Sequence, residues 1–108
     1  VGVYNLCGAT GCPIYASDAF AAGWEFGRRD REEERMLSIM PALREWNPSG
    51  LHGALSARSP DGQASLASFA KGYLVGAGMR GKGVGAVWQT FRLQTGLPER
   101  ALIEANPK

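Results

Sequence analysis

Apolar positions recur at helical spacing through most of the chain. From Ala16, with Ser17 or Asp18 placed to cap, Phe20, Trp24 and Gly27 fall three and four residues apart and predict a helix. The stripe then breaks at Arg28 to Arg35, eight charged residues in succession, and returns with Met36, Leu37, Ile39, Met40, Leu43 and Trp46. Arg28 and Glu32, Arg29 and Glu33, and Glu25 and Arg29 each stand one helical turn apart, so helix is the conformation that best neutralises the block. The expectation is a solvated helical stretch joining two packed ends, with an interaction surface as the second reading. Pro41 lacks a backbone donor and disfavours helix at Met40, which predicts a kink or a fresh helix start there. Asn47-Pro48-Ser49-Gly50 ends the element.

Residues 51–63 are ambiguous, because Ser59-Pro60-Asp61-Gly62 suits a type I turn between short strands as well as the start of a helix. Beyond them, Leu66, Phe69, Ala70, Tyr73 and Leu74 follow the 3.6-residue period. Six glycines then fall among the fourteen positions from Gly72 to Gly85. Each lowers helix stability by about 1 kcal/mol relative to alanine, so the helix is expected to end near Gly76 or Gly78. Val84, Val87, Trp88 and Phe91 predict another amphipathic helix ending at Gly96, and Pro98 opens a last short one over Glu99 to Ala105. The fold class is therefore mainly α. A single domain over residues 1–108 is expected, with an irregular arm at 1–15, a body of four or five short helices at 16–108, and a Gly-rich loop at 76–85.

One pattern occurs twice. Phe20-Ala-Ala-Gly23-Trp24-Glu-Phe-Gly27 and Phe69-Ala-Lys-Gly72-Tyr73-Leu-Val-Gly76 share Phe-Ala-x-Gly-aromatic-x-x-Gly, forty-nine residues apart. Two glycines four apart leave one helical face without side chains, where another backbone can approach closely. Phe20, Gly23, Trp24, Gly27, Phe69, Gly72, Tyr73 and Gly76 are thus the expected helix-packing interface. The two helices pack either on each other or on copies in a homodimer.

Composition narrows the function classes. The chain of 108 residues is 44% hydrophobic and 20% charged, which suits one small domain. Its net charge of +2 is far from the excess that marks a dedicated nucleic-acid protein. The charge is uneven: residues 1–35 hold six acids and four bases, whereas 36–108 hold four acids and eight bases. No apolar run approaches the roughly eighteen residues of a membrane span, so no membrane partner is expected. The first residues lack a Met and show no secretory pattern, which suggests processing or trimming and a cytoplasmic rather than secreted setting. Cys7 and Cys12 leave reduced thiols, a local disulfide and a shared metal all open, and with His52 they give only three soft ligands.

The segment Arg80-Gly81-Lys82-Gly83-Val84-Gly85 puts unencumbered backbone N–H groups directly before a helix N-terminus. Such an arrangement receives phosphate, because the dipole and orphan donors point at the anion. Arg80, Gly81, Lys82, Gly83 and Gly85 are the candidate anion-binding residues. Arg80, Gly83 and Gly85 match Arg/Gln-x-x-Gly-x-Gly/Ala, so the segment resembles the pyrophosphate loop of the acetyl-CoA-dependent N-acetyltransferases, with Val75 where that family ends a strand. The resemblance implies acetyl-CoA as cofactor and a sheet before the loop, whereas the residues before it read as helix. Gly85 to Lys108 resembles the helical hairpin of a LysM glycan-binding module, with Trp88 and Phe91 in the first helix and Gly96-Leu97-Pro98 in the turn. Its Gly-Asp-Thr start is Gly85-Ala86-Val87 here, and the closing strand is missing. The same hairpin is similar to a helix-turn-helix, with Gly96 as the turn glycine and Arg92, Arg100 and Lys108 as nucleic-acid candidates.

Side-chain catalysis has little to draw on. His52 is the only general base near neutral pH, and no carboxylate or nucleophile neighbours it in a known motif. The Glu32 to Glu34 run points in several directions on a helix and reads as solvated. The expected function is that of a small, non-enzymatic accessory protein of mobile-element type, without cofactor or metal, acting through macromolecular contact. A protein partner is favoured by Trp24, Trp46 and Trp88 and by the mixed-sign block, with nucleic acid next.

Overall fold

A computed structural model describes residues 16–47, 60–79, 81–98 and 100. The arm at 1–15, Cys7, Cys12, His52, Arg80, Lys108 and the expected helix over 99–105 lie outside those residues. The described chain forms four helices and no strand: α1 (Ala16–Glu32), α2 (Ile39–Trp46), α3 (Pro60–Gly76) and α4 (Lys82–Thr95). The fold is mainly α, as the periodicity indicates. None of these helices is long and apolar enough to cross a membrane.

The helix boundaries have local causes. α1 begins at Ala16, so Ser17 and Asp18 lie in its first turn, where the Asp18 carboxylate meets the positive end of the dipole, and neither is the cap. The charged block is helical only to Glu32, short of the continuous stretch expected through Arg35. Glu34 adopts a left-handed conformation with φ 56°. The Arg35 N–H then donates to the Asp30 carbonyl at 2.8 Å and the Glu34 N–H to that of Arg31 at 3.1 Å, closing a Schellman turn. Ser38, extended at φ −151°, precedes α2. Pro41 therefore sits in the first turn, where a missing N–H removes no bond, and the fresh-start alternative is the one adopted.

Pro60 occupies the first position of α3, for which its fixed φ suits it, and the helical reading of the ambiguous 59–62 segment holds. α3 ends in a second Schellman turn: Gly78, at φ 67°, donates to the Val75 carbonyl and Met79 to that of Leu74, each at 3.0 Å. α4 starts at Lys82 behind Gly81, whose φ of 72° favours glycine. The described connection is accordingly shorter than the 76–85 loop expected, and Gly83 and Gly85 are helical. Val84 and Val87 pack on the core in the same turns, and this anchoring outweighs the low propensity of the glycines.

α1 and α3 run side by side in the same direction. A Cβ on Gly23 would strike the carbonyl of Phe69, and one on Gly27 that of Tyr73. In return, Gly72 is pressed on the carbonyl of Phe20 and Gly76 on that of Trp24. α3 is the central helix, with Leu66, Phe69, Ala70 and Tyr73 fully buried. α2 covers one side of the pair and lays Trp46 on Phe69, rings stacked at 5.2 Å. Trp88 and Phe91 of α4 complete the core, so Trp88 is an interior residue and not the exposed anchor that the sequence suggests.

Candidate functional site

Where α1 ends, a polar cluster ties three segments together. Asp30 is 5% exposed and Tyr73 is fully buried, and the Tyr73 hydroxyl donates to Asp30 Oδ2 at 2.5 Å. Arg29 grips the other carboxylate oxygen with Nε at 3.0 Å and Nη2 at 2.7 Å, and gives Nη1 to Glu45 of α2 at 2.8 Å. The Ser38 N–H donates to the Tyr73 oxygen at 3.1 Å. Burial, and then the hydrogen bond to Asp30, push the Tyr73 phenol above its ordinary range, while the bonds to Glu45 and Asp30 hold Arg29 charged. No buried polar side-chain atom among the described residues is left without a partner. The cluster has the form of a clamp between α1, α3 and the start of α2, with no opening for a substrate at the phenol.

Among the described residues no three His, Cys, Asp or Glu side chains converge as a metal site requires. The helix-packing residues Phe20, Gly23, Trp24, Gly27, Phe69, Gly72, Tyr73 and Gly76 meet within one chain, as described above. Of the basic candidates, the side chains of Arg92 and Arg100 are among the described residues. Arg92 donates to the Gln89 side chain at 2.9 Å and to the Leu97 carbonyl at 3.4 Å, turned inward to secure the end of α4. Arg100 is exposed, and Arg80 and Lys108 lie outside the described residues. Gly81, Gly83 and Gly85 are exposed at the N-cap and first turns of α4, and a Cβ on Gly81 or Gly85 would meet nothing within 4 Å. The strand that an acetyltransferase would run into this loop is absent, because Leu66 to Val75 lie inside α3.

Four large apolar residues are exposed among the described residues: Met36 at 88%, Leu93 at 71%, Val75 at 53% and Trp24 at 37%. They fall in two places. Met36 borders a cleft of about 260 Å³ between the segment before α2 and α4. One wall is Met36, Leu37, Ile39 and Met40; the other is Ala86, Val87 and Phe91, with Ser38, Thr90 and Gln94 supplying its polar atoms. Among the described residues no charged side chain lines it. Leu93 lies seven residues, nearly two full turns, from Ala86 and extends the apolar surface along the outside of α4. Met36 falls with the apolar residues of the core stripe in the sequence, and its 88% exposure follows from the Schellman turn, which no local pattern announces when the left-handed residue is glutamate.

Compared with known family models, curated proteins and solved structures, the chain matches none.

Proposed function

We propose that this chain is a non-enzymatic helical binding module whose partner is another protein, received in the cleft between residues 36–40 and α4. The observation that carries the reading is the lining. In a chain that is 20% charged, the described residues of this methionine-bearing concavity are all uncharged, and Met36 is almost fully exposed at its rim. Unbranched methionine side chains adapt to varied apolar partners, and interface cores are depleted of charge. Sites for drug-sized ligands are usually about 300–1,000 Å³, so this cleft suits one or two apolar anchor side chains on a partner's surface better than a cofactor. A phosphate backbone would find no cation among the described residues of its walls.

The test is a photo-crosslinking residue at Met36, with one at Glu33 on the charged turn as control, in the native host. A discrete polypeptide adduct is expected from position 36 alone, persisting in high salt and lost when Thr90→Glu puts a charge in the cleft. The same adducts from both positions, an adduct removed by nuclease, or indifference to Thr90→Glu would each overturn the proposal. Salt separates the classes further, because phosphate contacts weaken steeply with ionic strength and apolar ones do not.

A further inference from the structure

The other two exposed apolar residues belong to the α1–α3 pair, and the pair is close to symmetric. Moving forty-nine residues along the chain turns the contact of Gly23 with Phe69 into that of Gly72 with Phe20, and the contact of Gly27 with Tyr73 into that of Gly76 with Trp24. Two parallel helices related in this way have a pseudo-twofold axis running between them. Such an axis exchanges the two sides of the pair.

On one side, α3 contributes Phe69 and Tyr73 and α1 contributes Phe26, and α2 covers them, with Trp46 stacked on Phe69. On the other side stand the equivalents: Phe20 for Phe69, Trp24 for Tyr73 and Val75 for Phe26. Phe69 and Tyr73 are fully buried, whereas Trp24 is 37% and Val75 53% exposed. This second side has the aromatic and apolar character of a covered face.

We infer that a second copy of this chain covers the Phe20–Trp24–Val75 side, forming a twofold homodimer. The charges bordering the patch favour a copy over another occupant. In a twofold contact a surface meets itself, so a patch rimmed by one sign repels its partner and a patch rimmed by both signs does not. Arg28 lies over the Trp24 ring, 5.5 Å from its centroid, between Glu25 at 3.2 Å and Glu32 at 2.9 Å. Each copy thus brings a cation flanked by two carboxylates, and a modest rotation of these exposed side chains exchanges partners across the axis. A nucleic acid would meet the same two carboxylates as repulsion.

Sedimentation equilibrium of the full chain from about 1 to about 100 µM tests the inference, a range that spans ordinary homodimer affinities. The wild-type protein is expected to dimerise. Trp24→Glu and Val75→Glu are each expected to raise the dissociation constant at least about a hundredfold, with the helical circular dichroism unchanged. If Trp24→Glu does not fold, Val75→Glu, at an exposed position of α3, decides alone. Arg28→Glu is expected to weaken the dimer about tenfold, and pairing it with Glu25→Arg to restore it, because both signs are then present again. A wild-type monomer across the range, or a dimer indifferent to both apolar substitutions, would overturn it.

Discussion

Asp30 illustrates how much a single residue can conceal. It stands inside a run of eight charged residues, where composition says solvent, yet it is nearly buried and holds Arg29 and Tyr73 at once. A signal was there: Asp30 lies seven residues after Gly23 and four after Phe26, on the inward stripe, and the charge block masked that register. Tyr73 was legible as an interior aromatic, but its hydroxyl partner was not, because the partner is forty-three positions away. Tyr73→Phe keeps the ring and removes a donor from a buried carboxylate and an acceptor from the Ser38 N–H. A loss of about 1–3 kcal/mol in chemical denaturation is expected. The pH dependence has a definite sign. Below the ordinary phenol value near 10, Tyr73 is neutral folded and unfolded, and its contribution is complete. Above that value the unfolded chain releases the proton and the folded one retains it, so wild-type stability falls as pH rises. Phenolate absorbance from Tyr73, read as wild type minus Tyr73→Phe, should emerge together with alkaline unfolding; emergence near pH 10 in the folded protein would contradict the buried placement.

Between elements, glycine carries opposite signs in different helices. Alanine ordinarily stabilises a helix interior over glycine by about 0.5–1 kcal/mol. At Gly23 and Gly72 the added Cβ meets a neighbouring carbonyl, with backbone nitrogens at 2.9 and 3.0 Å, and neither helix can yield without parting from the other. Gly23→Ala and Gly72→Ala should each lower stability by about 2 kcal/mol or more in thermal or denaturant unfolding. At Gly85 the same change meets open space, so Gly85→Ala should raise it by about 0.5–1 kcal/mol. Equal effects at the three positions would contradict the close approach. The repeated Phe-Ala-x-Gly-aromatic-x-x-Gly pattern made the two helices and their bare faces readable. The sequence was less informative at the ends of elements, where Glu34 does the work of a terminating glycine, and in α4, where core anchoring holds Gly83 and Gly85 in helix.

At the scale of the molecule the Cα radius of gyration is 12.8 Å, the size of a compact domain of about this length. Small-angle scattering of Val75→Glu should report a particle of that size, and the wild-type protein a distinctly larger one. Equal radii would count against the paired form. Val75 and Leu93 lie nine residues, half a turn out of phase, from Leu66 and Val84, so periodicity already sets them opposite the core stripes. Met36 instead falls with the apolar residues before α2, and its exposure depends on how that segment leaves α1. The sequence echo was silent on whether its two halves meet within one chain or between chains, and the structure places them within one. That choice has a consequence during synthesis and refolding. Because α1 and α3 present nearly the same face, α1 of one molecule fits α1 of another almost as well as it fits its own α3. The covalent tether favours the correct pairing through an effective concentration of the order of millimolar for a linker of moderate length, and the Tyr73–Asp30 bond, which two α1 helices cannot form, adds to it. Wherever newly made chains crowd toward that density, homotypic pairing becomes a competing outcome, and the yield of native protein should then depend on concentration more steeply than is usual for a domain this small.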